Sequence, residues 1–229
     1  MVLVQYTLTV LAPANATACQ ALFYPWGMKK SLSSLLVAAL AALAAPALLA
    51  EAPAQAPAQP AKNPVVVIKT SMGTIKAELY PDKAPITVKN FLQYASEKFY
   101  DGLIFHRVIS GFMIQGGGHD AKLAKKATRA PIKNEAKTSP KNTVGTLAMG
   151  QIPGDQNSAT SQFFINVANN QPLDYRGEGK GETGYCVFGK VTDGMDVVNK
   201  IKAVTTGVQN GMADVPLTAV VIESIRLEK

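Results

Sequence analysis

Residues 63–229 predict an all-β domain carrying two helices, a barrel or a sandwich, and three observations carry that expectation. Short runs rich in β-branched and aromatic residues recur along the segment, separated by glycine-rich and polar turns, which is the pattern of strands. Only two stretches, 85–98 and 195–203, space their apolar residues with a helical period. The C-terminal run alternates, with Ile225 and Leu227 expected to face inward and Ser224 and Arg226 outward.

In chain order, residues 65–70 and 74–80 read as a hairpin joined by the turn Ser71-Met72-Gly73. Pro85 suits the first turn of a helix, where its missing N–H has no partner to lose. Val88, Phe91, Leu92 and Ala95 then form an apolar face that ends near Lys98. Strands are expected over 103–109, 112–115, 146–149, 163–167 and 185–191, a second helix over 195–203, and a last strand over 220–227. Many short strands with two helices restrict the architecture to an all-β layer or closed barrel.

Residues 63–229 are enough for one domain with a sizeable core and too few for two ordinary ones. Upstream, Met28-Lys29-Lys30 precedes an alanine-rich apolar stretch over 32–49, followed by small residues at Ala50 and Ala52. That order is a secretory signal peptide's, so residues 28–50 are expected to direct export to the periplasm or a similar compartment and to be cleaved after Ala50 or Ala52. A retained anchor is the rival reading, because the stretch is near the shortest that spans a bilayer. Pro46 and the small residues favour cleavage, leaving no stable membrane insertion. Residues 1–27 are expected to be an upstream extension before a true start at Met28. Residues 51–62, with Pro53, Pro57 and Pro60 among Ala and Gln, are expected to form an extended linker.

The chain carries a net charge of +7 and two cysteines. Cys19 lies upstream of the signal, so a processed chain keeps only Cys186 and forms no internal disulfide. Cys186 sits in an apolar pattern and reads as a small buried hydrophobe. Lys122, Lys125, Lys126, Arg129, Lys133, Lys137 and Lys141 crowd one stretch. Without interleaved aromatics they read as a solvated loop able to steer acidic clients, and no nucleic-acid partner is expected.

The most informative segment is FHRVISGFMIQGG, residues 105–117. It sets one cation, Arg107, and one amide, Gln115, among Phe105, Phe112 and Met113. If two strands meet at a Ser110-Gly111 turn, alternation aims Arg107, Met113 and Gln115 at one concave face. Such a face holds a neutral, greasy group and donates hydrogen bonds to it. The run closely resembles the signature of the cyclophilins, the peptidyl-prolyl cis-trans isomerases. The likeness continues through SQFFINVANNQPLD (161–174) and GYCVFGKVTDGMDVVNKI (184–201) in the family's order.

The resemblance implies a closed eight-stranded antiparallel barrel capped by two helices, isomerase activity on X-Pro bonds, and no cofactor or covalent intermediate. It also implies that Arg107 is the catalytic arginine and that Gln115 holds the substrate backbone. Phe112, Met113, Phe164 and Leu173 match the proline pocket, although each taken alone reads as ordinary core. Gln162 matches a second polar group on that face, and Tyr185 a rim donor where many members carry His. Gly150 and Gln151 fall on the segment whose backbone pairs with a bound peptide. The implied partners are unfolded or extended proline-containing polypeptides, met by a monomer. Pro172 stands where well-known eukaryotic members have Trp, and residues 151–159 depart from the usual peptide-binding loop. Sequence preference and cyclosporin affinity are therefore expected to differ.

The remaining signals point nowhere else. Alternation sends His106 away from Arg107 as a satisfied structural histidine, and His119 reads as a loop residue. Two histidines and one retained cysteine assemble no zinc set or nucleophilic triad. Residues 179–184 spell GxGxxG but precede a strand, the reverse of a dinucleotide site. A binding module without catalysis, the main rival, needs the apolar pocket but neither Arg107 nor Gln115.

Overall fold

The computed structural model describes residues 62–228. The expected extension, signal peptide and nearly all of the linker lie outside the described residues.

The hairpin of β1 (Val65–Thr70) and β2 (Gly73–Leu79) opens the domain, followed by helix α1 (Pro85–Ser96), β3 (Leu103–Ile109) and β4 (Met113–Asp120). Next come β5 (Thr146–Met149), β6 (Phe163–Asn166), a 3-10 turn over Gln171–Leu173 and β7 (Val187–Asp193). Helix α2 (Met195–Lys202), a hairpin of β8 (Thr206–Gln209) and β9 (Met212–Pro216), and β10 (Val221–Leu227) complete it. Eight strands close into an antiparallel barrel in the order β1-β10-β3-β4-β6-β5-β7-β2, while β8 and β9 pair only with each other. Closure leaves the barrel no free edge to template aggregation.

Side-chain alternation fills the interior with Val66, Ile68, Ile75, Ala77, Ile114, Leu147, Phe163, Ile165, Phe188 and Ile225. Helix α1 lays Phe91 onto this core against Tyr100, Phe163 and Phe188, with ring centroids 5.3, 5.4 and 5.0 Å apart. These tilted and edge-on contacts add to the burial of the rings themselves. Helix α2 buries Val197, Val198 and Ile201. Ala84 gives α1 no side-chain cap. The carboxylate of Glu135, far along the chain, accepts hydrogen bonds from the backbone N–H of Ile86 (3.0 Å) and Thr87 (2.8 Å) and from Thr87 Oγ1 (2.7 Å). It satisfies the orphan donors and adds negative charge at the positive end of the helix.

Three expectations need correction. Strand β4 continues through Gly116, Gly117 and Gly118 to Asp120, so His119 lies on a strand. The β8–β9 hairpin was not expected. In β10 a register shift opposite Lys69 and Thr70 places Ile222 and Ile225 inside, three residues apart. Leu227 pairs with Val66 as the alternation requires, but at the strand end it is 54% exposed.

Candidate active site

The site lies on the outside of the barrel and is built by one row of cross-strand partners. Arg107 on β3 faces Gln115 on β4, Gln115 faces Phe164 on β6, Phe164 faces Ala148 on β5, and Ala148 faces Val187 on β7. Neighbours along each strand point into the core, since successive side chains take opposite faces. Met113, Ala148, Phe164 and Val187 therefore form a second apolar cluster, with Ile109, Phe112, Leu173 and Tyr185 packed against it. The cation and the amide stand at one end of this row.

A register shift in β3 sets the aim of Arg107. Phe105 pairs with Gly116 and Arg107 with Gln115, so β3 advances two residues while β4 advances one. Such a bulge reverses the facing of the residues beyond it: Phe105 and Val108 are both buried in the core, whereas Arg107 reaches the outer face with its side chain 43% exposed. Sequence alternation thus brought Arg107, Met113 and Gln115 together, but not the extra residue that makes it possible.

The resulting cavity, about 240 Å³, is lined by Arg107, Phe112, Met113, Gln115, Gly150, Gln151, Phe164, Leu173 and Tyr185, all expected from the sequence, and by Pro153, which was not. Gln162 stands behind it: Gln115 Nε2 donates to Gln162 Oε1 at 2.8 Å, and Gly150 N–H donates to Gln162 O at 2.8 Å. A Cβ at Gly150 would lie 3.2 Å from Gln162 Cβ and 3.4 Å from Gln115 Nε2, so a side chain there would press on the amide pair. The Gln151 side chain accepts from Asn134 Nδ2 (3.1 Å) and donates to Gly184 O (3.2 Å), tying the loop before Pro153 to the far wall. Tyr185 meets Phe164 edge-on at 5.7 Å.

A buried polar network, not foreseen, supports the wall. Asn170 Nδ2 donates to Phe112 O (2.8 Å) and to Asn166 Oδ1 (2.6 Å), and Asn166 Nδ2 donates to Asn142 Oδ1 (3.2 Å). Asn142 Nδ2 donates to Leu173 O (3.1 Å) and Tyr185 O (3.3 Å), and its backbone N–H to Asp174 Oδ1 (2.7 Å). Satisfied networks of this kind fix backbone positions in a medium of low dielectric. Their only sequence signal is the density of Asn between 142 and 170. On the other side, Asp214 of β9 brings Oδ2 to 3.5 Å from Arg107 Nε.

The remaining candidates behave differently. His106, only 3% exposed, lies against His119 with ring centroids 4.4 Å apart. The Nδ1 atoms of both rings lack hydrogen-bond partners among the described residues, so His106 is buried as expected but not satisfied. Burial, then the charges of His119 and Arg107, lower its pKa to about 4. Cys186 is buried as expected, and burial pushes its thiol up to about 11, far from a reactive thiolate. Residues 179–184 form a loop before β7. Several of the clustered cations are held by neighbours: Arg129 pairs with Glu97 and stacks on Tyr94, Lys126 lies over Phe99, and Lys137 pairs with Glu178. Among the described residues no group of three or more His, Cys, Asp or Glu side chains is placed to hold a metal ion, and no helix is long and apolar enough to cross a membrane.

A closed eight-stranded antiparallel barrel with two helices is the fold of the cyclophilins. The family model for cyclophilin type peptidyl-prolyl cis-trans isomerases matches residues 65–227. The chain is 53% identical over 165 residues to peptidyl-prolyl cis-trans isomerase B of Escherichia coli (strain K12), covering 72% of this chain and 100% of that protein. It is 51% identical over 166 residues to a peptidyl-prolyl cis-trans isomerase of Acinetobacter baylyi, covering 72% and 86%. A crystal structure of a Cryptosporidium parvum cyclophilin type peptidyl-prolyl cis-trans isomerase matches with a TM-score of 0.59 at 26% identity, over 73% of this chain and 98% of that one. The chain belongs to the cyclophilin-type peptidyl-prolyl cis-trans isomerases.

Proposed function

We propose that the groove takes an extended X-Pro segment, seats the prolyl ring on Phe112, Met113, Phe164 and Leu173, and lets Arg107 stabilise the twisted bond. The observation that carries this is the cross-strand pairing of Arg107 with Gln115 at the edge of the outer apolar cluster. Rotation about X-Pro is slow because amide resonance imposes a barrier of about 18–20 kcal/mol. At the twisted transition state the prolyl nitrogen becomes pyramidal and regains its lone pair. A guanidinium donating to that nitrogen favours the twisted form over both planar ones, and this difference alone accelerates the step. Gln115, its amide oriented by Gln162, holds the substrate backbone. Gly150 and Gln151 offer the backbone edge along which the peptide extends, and Tyr185 donates from the rim. No proton changes hands and no covalent intermediate forms.

The test is a protease-free isomerisation assay on a short X-Pro peptide. Arg107→Ala should lower turnover on the order of a hundredfold, as loss of a transition-state donor does elsewhere, while the fold and most peptide affinity remain. Arg107→Lys should fail as well, since an ammonium lacks the planar fork. Near wild-type turnover in the Ala variant overturns the mechanism.

The proposed setting is an exported compartment, where a monomer meets unfolded proline-containing chains. The support is the Lys29-Lys30, alanine-rich and small-residue order of residues 28–50. N-terminal sequencing of the native protein should read from Glu51 or Pro53, and recovery of intact Met28 in a membrane fraction rejects it.

A further inference from the structure

We propose that Asp214 is a positioning residue for Arg107: its carboxylate holds the Nε side of the guanidinium so that the Nη groups face the prolyl nitrogen. The inference rests on the role given to Arg107 above and deepens it.

Two observations carry it. The first is the contact itself. Asp214 Oδ2 lies 3.5 Å from Arg107 Nε, the only ion pair of Arg107 among the described residues. The second is the backbone that delivers it. Gly207 pairs with Val215 and Gln209 with Met212, so β9 carries one residue more than β8 between these pairs. Asp214 occupies that bulge with φ of +63°, in the left-handed region that glycine adopts without cost. The adjacent Val215 and Pro216 are buried and pin the strand down. Where backbone geometry alone favours glycine, the chain carries a carboxylate, and that carboxylate meets the catalytic cation. Strain kept at such a place points to function.

The chemistry needs this partner. A guanidinium is a rigid plane with five N–H donors on a long, freely turning stem. Arg107 is 43% exposed, so packing alone does not hold it. An anion on the Nε side restricts rotation of the plane and leaves the Nη donors for substrate. With Asp214 itself 38% exposed, the pair contributes little to stability. Its effect belongs in turnover, because misplacement of a reacting group is costly in rate.

The experiment compares Asp214→Gly, which suits the backbone and removes the carboxylate, with Asp214→Asn, which keeps an acceptor oxygen. Each is tested alone and combined with Arg107→Ala. The readouts are kcat and KM for an X-Pro peptide, the denaturation midpoint, and the 15N-detected Nε–H resonance of Arg107. Asp214→Gly should lower kcat on the order of tenfold with KM and midpoint nearly unchanged, and should speed exchange of the Nε–H proton. Asp214→Asn should recover part of the loss. In the Arg107→Ala background Asp214→Gly should have no further effect, the signature of a residue acting through another. Wild-type kcat in Asp214→Gly, an equal loss in the Arg107→Ala background, or a loss that tracks the midpoint overturns the proposal. Retained turnover in Arg107→Ala alone instead rejects the role of Arg107 itself.

Discussion

His106 occupies the bulge that turns Arg107 outward, and its burial has a consequence that can be measured. Its pKa in the fold is about 4, below the usual 6.5 or so of a free histidine. The unfolded chain therefore takes up a proton first as pH falls, so this contribution to stability is complete above about pH 6.5 and is lost progressively toward pH 4. At about 1.4 kcal/mol per pKa unit the loss amounts to roughly 3 kcal/mol. Burial also lowers His119, which acts in the same direction. Urea melts at neutral pH and near pH 4.5 should show wild type losing more stability than His106→Phe, and equal losses would refute the assignment. The two pocket phenylalanines separate similarly. Phe164 is 3% exposed whereas Phe112 is only half-buried. Phe164→Ala should cost stability in the range of about 3–5 kcal/mol expected for a buried ring, and Phe112→Ala clearly less. Equal shifts in a denaturant melt would show that exposure misjudges how the two walls are packed.

The elements show which interactions hold the barrel's attachments in place. Helix α1 begins at Pro85 without a local cap and relies on Glu135 from a distant loop. Glu135→Ala should destabilise the domain by about 1–2 kcal/mol, the usual worth of a cap, with Glu135→Gln recovering part of it. A denaturation midpoint unmoved by the Ala variant would mean that water serves those donors equally well. This contact could not be read from the sequence, because nothing local to Pro85 points to a residue so far along the chain. The eight barrel strands and both helices were legible, since the strands are short β-branched and aromatic runs between turn residues and the helices repeat their apolar residues with a helical period. The β8–β9 hairpin was missed although Asn210-Gly211, both at positive φ, is the dipeptide that favours a tight hairpin turn. Its flanks, Thr206–Gln209 and Met212–Pro216, lack clean alternation. That omission hid Asp214. The pocket residues were legible from motif resemblance, whereas the supporting Asn142, Asn166 and Asn170 were not, because a buried network depends on contacts across the fold.

At the scale of the whole molecule, two apolar clusters divide the work. One fills the barrel; the other lies on the outer wall and forms the groove, with a buried floor that includes Phe164 and a partly exposed rim. Rim substitutions can therefore change what binds without touching what folds. Pro172 is such a position. It lies exposed in the 3-10 turn Gln171–Leu173, with Leu173 lining the cavity beside Arg107 while Pro172 borders a neighbouring cavity of about 570 Å³ between the 151–157 and 178–184 loops. Family resemblance places Trp here in well-known eukaryotic members. An indole supplies apolar area and an N–H donor to a large ligand, contributions that aromatic anchors concentrate at binding sites, whereas a proline ring supplies little area and no donor. Cyclosporin-type macrocycles should consequently inhibit this enzyme poorly while X-Pro turnover stays intact, because Pro172 does not line the cavity that holds Arg107. Pro172→Trp should gain macrocycle affinity with kcat for a short peptide unchanged. Titrating the macrocycle against the isomerisation assay for both proteins decides it: nanomolar inhibition of the unmodified enzyme, or no gain in the Trp variant, would move the determinant from the rim to the floor of the groove.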